Sequence, residues 1–399
     1  MRIAFFTDSY LPTRDGTAIV VDGLARALNR LGHRVRVYAP RAGAGPTEFS
    51  TEGGIEVVRV RSHAVPLYQV YRSPYIMSLV RAMRAPPAAR DAEVVHVHSP
   101  GLMGTSGFFL SRRLRVPLVG TFHTDLRAME ESVRAKAGVS TFFRVASWYS
   151  LGVYWRCDRA VAPTSLARAR MVETATKPFR TPIEVVPNGI DLDRYHPGIE
   201  QPDWRARCGL EHGPLVTYLG RLTVDKGVHR FLDAITSLRA THDLSAIVAG
   251  RGPEEAAVRA RLAADPQLAR CVRYVGPIAE EEKAALLAQS DLFVLPSTSD
   301  TSSIALLEAM ACGTAVVGPA EGGAAELVRD RETGRRASMR VDGALGTAIR
   351  ELLDDPVERR ALADRGRRFV RENASIETMA ARYAAIYAET VSDRARPRA

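Results

Sequence analysis

Lysine, common in most proteins, is scarce in this chain. Of its 55 basic residues all but four are arginine, and the exceptions are Lys136, Lys177, Lys226 and Lys283. Cysteine is equally scarce: Cys157, Cys208, Cys271 and Cys312 stand far apart with no CxxC pair. That spacing supports neither a disulfide framework nor a zinc site, and it suits a reducing compartment. Long apolar runs are missing too, since none approaches the roughly 18–20 residues that span a bilayer. The opening MRIAFFTDSYLP breaks at Thr7-Asp8, short of the roughly 7–15 apolar residues of a secretory core, so a cytoplasmic location is expected. The net charge is +10, yet the basic residues are spread along the chain and no RNP, zinc-finger or helix-turn-helix signature accompanies them. Nucleic acid is therefore not expected as a partner, and anionic small substrates or an anionic membrane surface remain.

What is present is the composition of an ordinary globular protein, 399 residues with 46% apolar and 25% charged, enough for two domains that each bury a core. Short β-rich runs alternate with amphipathic helical stretches almost throughout, which is the pattern of α/β folds with parallel sheets. Residues 1–195 are expected to form one such domain and 214–375 a second. A turn-rich linker over 196–213 joins them, a helix over 376–393 packs back on the first, and 394–399 trail as a tail. Both halves open with a strand followed by a glycine loop, so two Rossmann-like domains facing a cleft are expected, with ligands at the carboxyl ends of the strands.

Three constellations carry chemistry. In Asp300-Thr-Ser-Ser-Ile-Ala-Leu-Leu-Glu308 one carboxylate sits in a loop after a strand and the other on a helix. About five helical residues at ~1.5 Å each, plus the cap, set them on the order of 8–12 Å apart. That separation suits the two ends of one extended ligand, a sugar hydroxyl at one and a ribose hydroxyl at the other. Ser302 or Ser303 would cap the helix, whose free N–H groups favour an anion such as a diphosphate. The plainer alternative is a capped helix with an exposed glutamate. In Gly220-Arg221-Leu-Thr-Val-Asp-Lys226-Gly227, Arg221 and Lys226 flank a loop after a strand and are placed to neutralise a leaving diphosphate without a metal; otherwise they are solvated loop charges. In Gly120-Thr-Phe-His123-Thr-Asp125 a histidine at a strand end can donate to a sugar hydroxyl or a phosphate, against the structural role lone histidines usually have. His96 and His98 share one face of a strand, where packing is favoured over metal binding. Asp191-Leu-Asp193 has the form of a DxD metal motif but follows the turn Pro187-Asn188-Gly189, so capping is expected. Gly250-Arg-Gly252 marks a strand-to-helix turn and is too short for a dinucleotide fingerprint.

Taken in order, MRIAFFTDSYLP, DGTAIVVDGLARALNRLGHRV, GTFHTD, VVPNGIDLDRYHP, GRLTVDKG, AGRGPE, YVGPI, LFVLPSTSDTSSIALLEAMACGTAVVG and EGGAAELV resemble the family-4 glycosyltransferases of the GT-B fold. The resemblance covers nearly the whole chain. It implies transfer of a hexose with retention from a UDP- or GDP-sugar, with no metal and no cofactor, to a lipid, glycan or small-metabolite hydroxyl. It further implies that Gly16 brings its backbone against the donor phosphate or the acceptor. His123 would contact the donor sugar, Arg221 and Lys226 the diphosphate, and Glu308 the ribose. The backbone near Ile278 would read the base, while Asp300, Ser302 and Ser303 would orient the hexose. The leaving phosphate would help to deprotonate the acceptor.

Two departures fall where the hexose is recognised. Asp300 stands where the family usually has glutamate, and Ser302-Ser303 replace the usual Phe-Gly. The opening resembles the glycolipid mannosyl- and glucosyltransferase branch, in which Asn-Gly usually replaces Asp15-Gly16. Two other readings stand beside this one: a nucleotide-sugar epimerase on a GT-B-like fold, and a non-catalytic nucleotide-sugar-binding protein. The latter would be expected to lack Arg221, Lys226 or Glu308. Lastly, Thr141–Arg156 holds six aromatics in 16 residues, with Arg127, Arg134, Lys136, Arg144, Arg156 and Arg159 in or near it. Such a helix either rests peripherally on an anionic membrane or packs in the first core, and packing is preferred because apolar residues fall on most of its faces.

Overall fold

The computed structural model describes residues 1–13, 15–65, 68–84, 91–123, 139–173, 178–210 and 212–395. They form two compact units, Met1–Gly189 with Ile376–Ala399, and Ile190–Ser375. Asp125, Arg127, Arg134, Lys136, Lys177 and the end of the tail lie outside the described residues, as does the side chain of Arg144.

The first unit is built on β1 (Arg2–Phe6), β2 (Arg34–Pro40), β3 (Glu48–Glu52), β4 (Ile55–Val60), β7 (Val94–Val97), β8 (Leu118–Thr121), β9 (Arg159–Ala162) and β10 (Ile183–Val185), with a separate hairpin of β5 (Ser62–Val65) and β6 (Tyr68–Pro74). The eight-stranded sheet runs β10-β9-β8-β7-β1-β2-β4-β3. All its pairings are parallel except β3 with β4. The inner strands are buried on both faces because helices cover both sides, which is why their sequences show no polar alternation. Between β3 and β4 the chain turns through Gly53 and Gly54, both with positive φ, the requirement of a two-residue hairpin turn. The C-terminal helix Ile376–Ala395 belongs to this unit, packing on helix Gly16–Arg30. The Cβ of any larger residue at Gly23 would come within 2.8 Å of Ile376 Cδ1.

The second unit holds β11 (Leu215–Leu219), β12 (Ser245–Ala249), β13 (Val272–Gly276), β14 (Leu292–Val294), β15 (Ala315–Pro319) and β16 (Arg335–Ala337), all parallel, in the order β13-β12-β11-β14-β15-β16. Both sheets thus step outward from a first strand and then restart on its other side. The order reverses between β1 and β7 in one unit and between β11 and β14 in the other, the topological switch points where α/β folds bind ligands.

The stretch 196–213 is no free linker. It contains the helix Trp204–Cys208, capped by Asp203, whose side chain accepts from Ala206 N. Trp204 is fully buried among Leu210, Leu215, Leu286 and their neighbours, and its Nε1 donates to the Glu282 carbonyl at 3.1 Å. Burying an aromatic ring of this size stabilises by about 2–3 kcal/mol, which fixes the segment to the second unit. The unit boundary accordingly falls at Gly189–Ile190, with Tyr195 inside the second core.

Candidate active site

In the second unit two loops leave the carboxyl ends of β11 and β14 on either side of the switch point, and side chains stitch them together. After β11 the chain passes Gly220 and Arg221 into a single 3-10 turn, Val224–Lys226, and leaves it through Gly227 at φ +74°. A Cβ at Gly227 would lie 2.5 Å from the Pro296 carbonyl, so only glycine permits this approach of the two loops. Asp225 accepts from Ser299 Oγ, and its backbone oxygen accepts from Thr298 N at 2.9 Å. Burial pushes the Asp225 carboxyl up, but the bond from Ser299 and the charges of Lys226 and Arg221 help to bring it below its ordinary value.

Lys226 Nζ is ion-paired with Asp300 Oδ1, both side chains about one-seventh exposed (13% and 15%). The other oxygen, Asp300 Oδ2, is buried with no hydrogen-bond partner among the described residues. Arg221 is exposed on the same loop, and the Tyr218 hydroxyl donates to its carbonyl at 3.1 Å. The backbone of Asp300 and Thr301 is in turn braced from below. Gly323 N donates to the Asp300 carbonyl, and a Cβ at Gly323 would fall 1.9 Å from the Thr301 oxygen. The glycines of Gly250-Arg-Gly252 serve the other loop. Their Cβ positions would meet the carbonyls of Gly220 and Leu222 at 1.9 and 2.2 Å, so this turn packs backbone against backbone.

Ser303 rather than Ser302 caps the helix Ile304–Ala311, its hydroxyl accepting from Leu306 N at 3.4 Å. Glu308 overturns the plainer alternative for this helix: it is 2% exposed, within a run of buried apolar residues. It survives there because Lys283 Nζ donates to Glu308 Oε1 at 2.7 Å. Lys283 also meets Glu280 Oε1 at 2.8 Å and lies 5.2 Å from the centre of the Tyr195 ring, while the Tyr195 hydroxyl donates to Glu280. Burial alone would lower the Lys283 ammonium, but Glu308 and Glu280 outweigh it and hold it above its ordinary value. The Tyr195 phenol is raised by burial and by the same two carboxylates. Ile278, half-buried, lies in the loop between β13 and the helix that carries Lys283.

At the switch point of the first unit, Asp8 follows β1 and accepts from Gly101 N at 3.0 Å and Met103 N at 3.2 Å, beyond β7. Burial raises its carboxyl to about 6 against those two bonds. Asp15 caps the helix Gly16–Arg30, accepting from Ala18 N at 2.8 Å and from Ser9 Oγ, and Gly16 is exposed at the first helical position. His123, just past β8, shares a hydrogen bond of 3.1 Å between its Nε2 and His98 Nδ1, the rings stacked 5.4 Å apart. His96 engages Tyr387 Oη through Nδ1 and Thr121 Oγ1 through Nε2, both at 2.7 Å, a packing role. Burial lowers all three rings, His123 to about 4, so they are neutral at neutral pH. Asp191 Oδ1 accepts from the backbone of Asp193 and Arg194, which makes the DxD sequence a turn cap.

The structure therefore brings Lys226, Asp300 and the Asp225–Ser299 stitch together, and separately Glu308, Lys283, Glu280 and Tyr195. The second group was missed by sequence reasoning except for Glu308. The only local signal for it was that Lys283 is one of four lysines.

Two Rossmann-like sheets in one chain, each with its loops at the carboxyl ends of parallel strands, define an architecture of the GT-B type. The sequence comparisons agree: the model for "Glycosyltransferase Family 4" matches residues 14–194 and that for "Glycosyl transferases group 1" matches residues 200–369. A GDP-mannose-dependent alpha-mannosyltransferase of Mycolicibacterium smegmatis is 30% identical over 93% of this chain and 92% of its own length. The alpha-monoglucosyldiacylglycerol synthase of Streptococcus pneumoniae is 24% identical over 79% of this chain and 70% of its own. Among solved structures, sucrose-phosphate synthase from Thermosynechococcus elongatus superposes with a TM-score of 0.79 at 22% identity, over 98% of this chain and all of that one. HepE of Anabaena with UDP gives 0.74 at 19%, with the same coverage. The chain belongs to the family-4 glycosyltransferases and is a glycosyltransferase of the GT-B fold, and none of these relatives supports the epimerase reading.

Proposed function

We propose that the chain is a retaining, metal-independent hexosyltransferase whose donor is GDP-mannose or a UDP-hexose and whose acceptor is a hydroxyl of a lipid, glycan or small metabolite. The observation that carries this reading is the pairing of both motif carboxylates of the second unit with lysines, Lys226 with Asp300 and Lys283 with Glu308. Cations and a capped helix terminus gathered there supply what a diphosphate needs as negative charge develops on it. In this reading Arg221 and Lys226 hold the diphosphate, with Gly16 at the donor phosphate or the acceptor. Asp300 with Ser302 and Ser303 orients the hexose, Glu308 takes the ribose, and the backbone at Ile278 reads the base. His123, neutral at working pH, donates to the donor sugar. The mannosyltransferase named above and its counterpart in Corynebacterium glutamicum make GDP-mannose the first donor to try.

The test is calorimetry with GDP-, UDP- and ADP-sugars, followed by product analysis. Full turnover in excess EDTA and an α-anomeric product from an α-linked donor are expected. An obligatory divalent cation or an inverted product overturns the mechanism.

A specific observation also favours peripheral contact with an anionic membrane. On the described part of helix Val139–Tyr154, Ser147, Ser150, Leu151 and Tyr154 are buried, whereas Trp148 is 59% and Tyr149 40% exposed. The Tyr149 hydroxyl meets Thr105 of the neighbouring helix, which exposes Phe109 one turn further on. The described part thus packs along one face, as the core reading expects, and presents aromatics on another. Among the described residues no helix is long and apolar enough to cross a bilayer. Trp148→Ser with Phe109→Ser should weaken binding to phosphatidylglycerol vesicles without lowering the melting temperature. Wild-type protein indifferent to vesicles removes this contact.

A further inference from the structure

A carboxylate buried in an apolar helix is costly unless it is paired, and a pair in turn is no more stabilising than well-packed apolar residues of similar volume. The helix Ile304–Ala311 buries Leu306, Leu307, Ala309, Met310 and Ala311 together with Glu308, so nothing in its packing calls for a charge. Lys283 answers that charge from a separate helix, Glu280–Ala288, at 2.7 Å, with its own ammonium clamped by Glu280 at 2.8 Å and covered by the Tyr195 ring. The cluster keeps one positive and two negative charges out of water. A carboxylate has about four acceptor sites, and Lys283 fixes one of them, which sets the plane in which the remainder point.

We propose that Lys283 is a positioning residue for nucleotide recognition, holding Glu308 ionised and in one orientation so that it accepts from the ribose hydroxyls of the donor. Glu280 and Tyr195 steady the ammonium and contact the nucleotide only through it. The inference rests on the assignment of Glu308 to the ribose. Its signature is a selective loss: without Lys283 the site should cease to distinguish a ribose from a sugar lacking its hydroxyls, whatever happens to overall affinity.

The experiment measures binding of GDP and UDP, and of 2′,3′-dideoxy-GDP and 2′,3′-dideoxy-UDP, to the full chain by calorimetry. Wild type should prefer the ribonucleotide of its cognate base by at least tenfold. In Lys283→Met that preference should fall to threefold or less, and Lys283→Arg should recover part of it. If the lone substitution fails to fold, Lys283→Met with Glu280→Gln leaves the single negative charge of Glu308 where one positive and two negative stood, the same net charge. Binding that weakens equally for both sugars, with the preference intact, means Lys283 only supports the fold and overturns the proposal. Glu308→Gln separates the underlying assignment: if it retains the full preference, Glu308 does not read the ribose and both ideas fall together. If Glu308→Gln abolishes the preference while Lys283→Met keeps it, the ribose assignment stands and the positioning role alone is lost.

Discussion

Lys226→Met tests how much the second unit depends on the stitch between its two loops. The substitution keeps the unbranched stem and removes the ammonium, so Asp300 Oδ1 loses its partner beside an Oδ2 that is already buried without one among the described residues. A pair in which both side chains are about one-seventh exposed lies nearer the buried limit than the surface limit. Breaking a buried pair costs 3–5 kcal/mol and an exposed one about 0–1, which brackets this case at roughly 2–4 kcal/mol. Asp300→Leu alone should cost less, about 1–2 kcal/mol, because the flexible lysine stem can carry its charge toward water. The double variant leaves no buried charge, so its loss should fall short of the sum by roughly 2 kcal/mol. Trp204 is the second unit's tryptophan, whereas Trp148 and Trp155 belong to the first. A Trp148→Phe, Trp155→Phe background therefore turns fluorescence-detected urea unfolding into a report on the second unit. Losses that add, or a Lys226→Met variant within 0.5 kcal/mol of its parent, would refute the reasoning.

Glu308→Gln should weaken donor binding by about 1.5–3 kcal/mol as the ribose loses a charged acceptor, whereas His123→Ala should lower kcat more than donor affinity; calorimetry and steady-state kinetics separate the two. Asp300→Glu inserts a methylene between loops that Gly227 and Gly323 already bring into close contact, and it pushes the carboxylate past Lys226. It should reduce kcat/KM with the native donor by at least tenfold, about 1.4 kcal/mol in the barrier, and equal kinetics on every donor would show that position 300 does not read the sugar. Acidification from neutral pH should destabilise the first unit. Burial lowers His96, His98 and His123 below the unfolded 6.5, so their contribution is complete above pH 6.5 and is lost as pH falls below it. Asp8, raised to about 6, works in the opposite sense by taking up a proton in the folded state. The three imidazoles outnumber the one carboxyl, so the unfolded chain binds more protons than the folded one as pH falls below 6.5, and stability should fall with it. Urea midpoints that are flat between pH 7 and 5 would contradict it.

The buried strands were legible because a strand covered on both faces is apolar without alternation, as Leu215–Leu219 and Ser245–Ala249 show with every residue at least half-buried. Edge structure was not. β3 reads Glu-Phe-Ser-Thr-Glu, mostly exposed, and looks like loop until its partner β4 is known, although the Gly53-Gly54 turn beside it was a usable sign. The segment 196–213 looked like a connection because its turn residues are local, while the pocket that takes Trp204 is completed by residues such as Glu282 and Leu286, more than 70 positions away. Asp300, Lys226 and Ser303 fell in recognisable runs and were named from them. Which serine caps, and that Asp300 pairs with Lys226 across 74 residues, required the fold.

The scarcity of lysine is the sequence feature whose meaning the structure changes most. Both described lysines end on a motif carboxylate in a confined place, Lys226 on Asp300 and Lys283 on Glu308, while arginine serves exposed pairs such as Arg30–Glu377 and ones with a buried guanidinium such as Arg335–Asp330 alike. The two cations differ in what they ask of a buried site. A guanidinium is a rigid planar fork with five donors, and buried it would leave several unanswered, whereas an ammonium is compact and ends a slim stem. At Lys283 that stem runs beneath the Tyr195 ring to reach two carboxylates, and three donors are nearly all used by Glu280, Glu308 and the face of the ring. At these two places the compact ammonium, rather than the arginine used almost everywhere else, meets the carboxylate. The rarity of lysine is thus a usable pointer to Lys226 and Lys283 before any contact is seen.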